Sequence, residues 1–220
     1  MTILAVTGLA KEAKIVGTAG VIAVAGGGDA DGLMVKLNAL HGDIRGVISI
    51  GLAGALSPRL NVGEVVIADR IMTGAETWDC HAAWRMRLIS RLPYAHQGSV
   101  FGSDVIIENP DTKSGLHQTC GALAVDMESQ VAARFAHQRN LPLAALRVIS
   151  DDASHVLPPA ALVAMKPDGG IALGRVLLSL LKKPAQIPAL VHTARTSNQA
   201  FEQLLRCRNL CGVGFAGADL

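Results

Sequence analysis

Aromatic residues are scarce. The 220-residue chain holds four Phe, two Trp and one Tyr. That excludes a core of large rings, so Ala, Val, Ile and Leu must fill it. Charge is sparse too, at 17% of residues with a formal net charge of +2. This balance provides no clustered basic face of the kind that binds nucleic acid. No apolar run approaches the ~18 residues that a membrane-crossing helix needs. The best stretch, Ile171–Leu181, is short and interrupted by Arg175. The opening Met1–Gly8 lacks a basic start and is read as a first strand, not a secretion signal. The cysteines Cys80, Cys120, Cys207 and Cys211 are scattered. We expect reduced thiols in a cytoplasmic protein. Cys207 and Cys211 stand one helical turn apart, a spacing open to a metal pair or a disulfide. The seven histidines form no H-E-x-x-H cluster, so no catalytic metal is expected.

What is present argues for a folded α/β chain. Half of the residues are hydrophobic, which excludes disorder. A chain this long buries roughly 70% of its unfolded surface, enough for a core without disulfide or metal. Short Val- and Ile-rich runs bounded by Gly or Asp predict strands at Ile3–Thr7, Val21–Ala25, Gly46–Ile50, Glu64–Met72, Gly98–Phe101, Ala122–Val125 and Leu143–Ser150. Helices are predicted at Asp29–His41, Ala82–Leu92, Met127–Asn140, Gly170–Leu181 and Thr196–Cys207. In the third of these, Met127, Val131 and Phe135 define one apolar face. The stretch Lys182–Pro188 breaks two C-terminal helices. The alternation predicts a single domain over 1–220, with a central twisted mixed sheet flanked by helices in three layers. No repeat, low-complexity tract or linker interrupts it.

In such sheets function gathers where strands end. The polar residues there lie in Gly8-Leu-Ala-Lys-Glu12, Gly26-Gly-Gly-Asp-Ala-Asp-Gly32, Gly51-Leu-Ala-Gly-Ala-Leu56, Gly102-Ser-Asp104, Asp126-Met-Glu128 and Ser150-Asp-Asp152. Three carboxylates from separate strand ends, Glu12, Glu128 and Asp151, are expected to converge on one cleft. The loop at Gly26 nearly matches a dinucleotide-binding fingerprint, but its third glycine is Gly32, one residue late. Asp43 is the acid at a suitable distance beyond it. The bare motif therefore suggests a nicotinamide-dependent oxidoreductase as the alternative class, and a non-catalytic binding module is a third.

Four segments in order resemble the nucleoside phosphorylase and nucleosidase superfamily. They are Gly51–Val66 with its Asn61-Val-Gly-Glu-Val-Val66 strand, Val125-Asp-Met-Glu-Ser-Gln130, Leu146-Arg-Val-Ile-Ser-Asp-Asp-Ala153 and the opening Gly8-Leu-Ala-Lys-Glu12. The last is similar to the start of methylthioadenosine/adenosylhomocysteine nucleosidases. The match covers roughly residues 1–155. The chain looks most like the hopanoid-associated branch, which is implied to remove adenine from adenosylhopane. Leu52 stands where the nucleosidases usually carry Ser or Thr. The tail after Asp152 differs from theirs, and no arginine pair matches the phosphate clamp of the hexameric phosphorylases.

The implied reaction breaks a ribosyl C–N bond. The purine needs a proton as it leaves, and the sugar becomes oxocarbenium-like. Asp151 is the candidate acid near purine N7. To hold a proton near neutral pH it must be desolvated or lie beside an anion, and Asp152 could provide that anion. Without the resemblance, either aspartate could simply cap the next helix. Glu128 would accept from the ribose 2′- and 3′-hydroxyls, or, without chemistry, would sit in a first helical turn favoured by the macrodipole. Met127 would pack on the sugar or belong to the core. Glu12 would orient or deprotonate water, or be a solvated residue of a helical turn. Ala53 and Gly54 would bring backbone close to the ligand, Ile106 and Ile107 would hold the adenine, and Ser150 would contact substrate. The resemblance implies no cofactor, with water or phosphate as the nucleophile. It further implies a small-molecule adenine nucleoside, lipid-linked in this branch, and a homodimer or larger assembly. The apolar C-terminal third, with Lys182 and Lys183, would suit contact with a membrane surface. An apolar channel from the Glu128–Asp151 cleft towards this third is expected.

Overall fold

The computed structural model describes residues 2–217. Among these residues, eight strands are interspersed with eight α-helices. The strands are β1 (Thr2–Thr7), β2 (Val21–Ala25), β3 (Ile44–Ala55), β4 (Val65–Met72), β5 (Thr77–Asp79), β6 (His96–Gly102), β7 (Ala124–Asp126) and β8 (Leu143–Asp151). The helices are α1 (Ala10–Val16), α2 (Ala30–Asn38), α3 (Ala82–Arg91), α4 (Pro110–Cys120), α5 (Ser129–Gln138), α6 (Pro159–Leu162), α7 (Leu173–Lys182) and α8 (Ile187–Cys211).

The sheet is mixed and partly closes on itself. Its order is β2-β1-β3-β7-β6-β4-β5, and β8 pairs with both β3 and β4. The pairings β3–β8, β8–β4, β4–β6, β6–β7 and β7–β3 thus complete a ring. Strand alternation divides the core in two. Leu4 and Val6 of β1 face α2 and α5, with Leu33, Leu37, Val131 and Phe135. Ile3 and Ala5 face α1, α3 and α8, with Val16, Leu88, Leu204 and Cys207. Trp84 is buried there and its indole N–H donates to the Phe215 carbonyl at 2.7 Å, so the ring leaves no polar atom unpaired.

Several elements differ from expectation. β3 runs on through Gly51 and Gly54, past the predicted strand end at Ile50, because it keeps pairing with β8 as far as Gly54. α4 was not foreseen. It has almost no apolar stripe and is set by its start, where the Asn109 side chain accepts from Thr112 N–H and Pro110 follows. β5 and α6 are too short to carry a period. The break after Lys182 is real, a single 3₁₀ turn at Pro184–Gln186. α8 then begins at Ile187, nine residues before the expected Thr196. Cys207 and Cys211 are free and buried, and burial pushes their thiols up to about 11 and about 12. They pack as small apolar groups.

Candidate active site

A cleft of about 180 Å³ opens where β1, β3, β7 and β8 end, and Glu12, Glu128 and Asp151 line it together. All three are buried. Met127, Ala53, Gly54, Ile106, Ile107 and Ser150 also line it, so every residue singled out as a site candidate reaches one place.

Glu12 comes from the first turn of α1 and is not the solvated residue of the simpler reading. Its carboxylate accepts from the backbone N–H groups of Gly8 at 2.7 Å, Leu9 at 2.8 Å and Leu52 at 2.9 Å. It caps its own helix and ties β1 to β3. Burial nevertheless raises its pKa above the ordinary glutamate value, against the pull of these N–H donors.

Glu128 is the N-cap residue of α5, ahead of the first turn that the macrodipole reading gave it, and its side chain makes no cap hydrogen bond. The α5 N-terminus is capped instead by Asp126, whose Oδ1 accepts from Glu128 N–H at 2.8 Å and Ser129 N–H at 2.7 Å. Glu128 is thus free to turn across the cleft, where Oε1 accepts from Gly28 N–H at 3.0 Å. This accounts for the glycine loop after β2. A Cβ on Gly26 would lie 2.8 Å from the Glu128 Cγ, and Gly28 has φ +71°. The space and N–H that a dinucleotide phosphate would need hold the Glu128 carboxylate. Met127 likewise lies outside the α5 stripe, ahead of Ser129, and reaches the cleft while Val131 and Phe135 stay in the core.

Asp151 ends β8. Ser150 Oγ donates to its Oδ1 at 2.9 Å, and Lys113 Nζ donates to its Oδ2 at 2.5 Å. Asp152, the expected neighbouring anion, makes no hydrogen bond to Asp151. The Asp152 carboxylate turns to Ser154, accepting from its N–H at 2.9 Å and its hydroxyl at 2.6 Å, and these bonds hold its pKa below the ordinary value. Glycines again make room. A Cβ on Gly51 would lie 2.8 Å from Glu12 Oε2, and one on Gly54 would lie 3.0 Å from Asp151 Oδ2. Gly51 and Gly54 therefore admit the carboxylates between the strands.

Three residues in or beneath the cleft were not singled out from sequence. Arg147 of β8 is fully buried, forms an ion pair with Asp126 at 3.0 Å and donates to Ser49 Oγ. It was legible as the one charge inside the apolar run of β8. Asp126 was legible only as an acid at a strand end. Lys113 carried no signal, since α4 has almost no apolar stripe.

Four buried carboxylates thus face two buried cations. Burial, and then the neighbouring Asp126, push the Glu128 carboxyl up to about 7, with Arg147 opposing. Its ordinary value is 4.5. A carboxyl raised in the folded state favours folding fully below that ordinary value, and the advantage is lost as pH rises through about 7. Glu128→Gln is therefore expected to raise Tm at pH 8, by on the order of 3 kcal/mol in stability, and to change it little at pH 4.5. Melting curves of both proteins at the two pH values check this. A lower Tm for the variant at pH 8 would mean that Arg147 holds Glu128 ionised.

Beyond Asp151 the cleft widens into an apolar chamber of about 670 Å³. Leu52, Leu157 and Met165 border both spaces. The far wall carries Leu173 and Val176 of α7 and Leu190 and Phe201 of α8. The expected channel towards the C-terminal third is present.

The sheet is curled so that its strand ends gather acids beside an apolar slot. The family model of the phosphorylase superfamily matches residues 3–182, and the chain belongs to that superfamily. This displaces the nicotinamide reading. Among solved structures, the chain resembles the 5′-methylthioadenosine/S-adenosylhomocysteine nucleosidase of Streptococcus pneumoniae bound to a transition-state inhibitor, with 19% identity and TM-score 0.61 over 94% of this chain and 99% of that one. It also resembles the S-adenosylhomocysteine nucleosidase of Streptococcus pyogenes, with 16% identity and TM-score 0.62 over 92% and 96%. A futalosine hydrolase mutant of Helicobacter pylori matches with 14% identity and TM-score 0.56 over 68% and 90%. At these identities the likeness is one of fold.

Proposed function

We propose that the protein hydrolyses the N-ribosidic bond of an adenine nucleoside bearing a large apolar 5′ group. Adenosylhopane, the substrate implied by the resemblance, is the first choice, giving adenine and a ribosyl hopanoid. The observation that carries the reading is the convergence of Glu12, Glu128 and Asp151 on one cleft. Asp151, steadied by Ser150, delivers a proton to purine N7. Ile106 and Ile107 hold the ring, with the Ala53–Gly54 backbone beside it. Glu128 accepts from the ribose hydroxyls and stabilises the positive charge growing on the sugar, against which Met127 packs. Glu12 takes the proton of the attacking water, burial making its carboxylate a stronger base than an ordinary glutamate.

Water is preferred to phosphate for a physical reason. The N–H groups of Gly8, Leu9 and Leu52 form a nest of the kind that binds anions, and the Glu12 carboxylate already fills it. No lysine or arginine lines the cleft among the described residues, so phosphate would meet only acids there.

The chamber supports the large 5′ group. Next to it, α7 buries none of its residues, with Leu177 and Leu181 at 60% and 80% exposure and Lys182 and Lys183 at its end. Such a helix suits the surface of an anionic bilayer, from which a lipid-linked nucleoside could enter. No helix among the described residues is long and apolar enough to cross a membrane. A cytoplasmic setting and a homodimer or larger assembly belong to the same proposal, and light scattering measures the latter. A methylthioadenosine/adenosylhomocysteine nucleosidase is equally compatible with the cleft. The chamber is where the two readings part.

Adenine release from a series of 5′-alkyl adenosines, with and without phosphate, tests the proposal. We expect kcat/KM to rise about fourfold per added CH₂, from ~0.8 kcal/mol each, and to ignore phosphate. Ala161→Trp, which narrows the chamber away from the acids, is expected to cost at least about tenfold on the longest chains and little on adenosine. A maximum at the methylthio group would select the second reading, and a phosphate requirement would replace hydrolysis by phosphorolysis.

A further inference from the structure

Helix α4 is polar on almost every side, yet its one buried residue is a lysine. Lys113 is fully buried, and its Nζ reaches Asp151 Oδ2 at 2.5 Å, the Asp152 carbonyl at 2.9 Å and the His155 carbonyl at 3.3 Å. A buried ammonium is costly unless it is paired and hydrogen-bonded, and all three of its donors are used. It lies behind Asp151, outside the walls of the cleft. The ammonium thus stands one hydrogen bond from Asp151 without itself lining the cleft.

We infer that Lys113 is the proton reservoir for the leaving group, a positioning residue that acts through Asp151. The inference rests on the proposed N-ribosyl cleavage and adds the source of its proton. As the C1′–N9 bond breaks, its electron pair passes to the purine, which becomes strongly basic at N7. Asp151 gives N7 a proton and takes one from the Lys113 ammonium. Adenine leaves neutral, Lys113 is left as the amine, and solvent reprotonates it when the cleft empties. The attacking water forms the new bond to C1′ and gives its surplus proton to Glu12.

The test compares two leaving groups. Adenine needs a proton, whereas 4-nitrophenolate, from 4-nitrophenyl β-D-ribofuranoside, does not. Lys113→Gln keeps two N–H donors for the three acceptors around Lys113 but has no proton to release. Lys113→Met keeps only the stem. In both variants we expect adenine release to fall by at least about 100-fold, with nitrophenolate release held within a few fold. If Lys113 merely anchors the loop, Gln rescues both reactions or both fall together, and either result overturns the inference.

A measurement on the wild type needs no variant to fold. The ratio of adenine to nitrophenolate rates cancels the titration of Glu12 and Glu128, which serve both reactions. The other titratable groups around the pair are Asp152, held anionic by Ser154, His155, whose pKa burial lowers, and the exposed His192 beside it. A lysine reservoir keeps the ratio level from pH 7 to 9, while an aspartate that stores its own proton makes it fall. Wild type that releases nitrophenolate but no adenine overturns the inference. Wild type that cleaves neither riboside overturns the proposed function itself.

Discussion

Asp151→Asn is expected to lower kcat/KM for adenine nucleosides by about 10²–10⁴-fold, the usual worth of a positioned general acid. The amide cannot pass a proton from Lys113 to purine N7, while its carbonyl oxygen can still accept from the lysine. The fold is therefore expected to persist, as circular dichroism and melting curves check. Asp151→Ala is the harsher change. It leaves the Lys113 charge buried without its partner, a loss of about 3–5 kcal/mol, so failure of that variant would say nothing about chemistry. Nitrophenolate release should survive in the Asn variant. Near-normal adenine release by a well-folded Asn variant would remove Asp151 from the mechanism.

Glu128→Gln is expected to cost about 10²–10³ in rate, the loss typical of one preorganised electrostatic contact in a water-poor site. The amide keeps its length and one acceptor oxygen, but not the charge that answers the sugar's developing positive charge. The effect should depend on the 2′-hydroxyl. Wild-type enzyme should lose much of its rate on 2′-deoxy substrates, and the variant should lose little more. If 2′-deoxy substrates suffer equally in both proteins, Glu128 does not read that hydroxyl. The same substitution should also raise stability at pH 8, so a fall in activity with a rise in Tm would mark a charge kept for function at the expense of the fold.

How much of this was legible depends on whether the signal is local. β1 and β8 could be read directly, because a strand buried on both faces is an unbroken apolar run. Glu12, Glu128 and Asp151 could be nominated because acids at strand ends are exceptions to that pattern, and the resemblance joined them. Arg147 was open to the same logic. α4 was not, because it packs few side chains and is defined by its cap. The predicted strand stops at Ile50, short of the later glycines of β3. Gly51 and Gly54 in fact leave space for Glu12 and Asp151, a requirement set by neighbours 39 and 97 residues away in sequence.

The sequence by itself therefore determined the alternation of strands and helices, the aliphatic core and the identity of the acids, all properties of short segments with a period or a motif. Tertiary structure alone decided what those acids are. The curled sheet brings the ends of β1, β3, β7 and β8 together and leaves Glu12 in a nest of N–H groups. It caps α5 with Asp126, so that Glu128 can point across the cleft. It also carries Lys113 from a polar helix to within hydrogen-bonding distance of Asp151. A carboxylate's protonation and reach depend on burial and on charges within a few ångströms, and chain order does not record which distant residues will supply them.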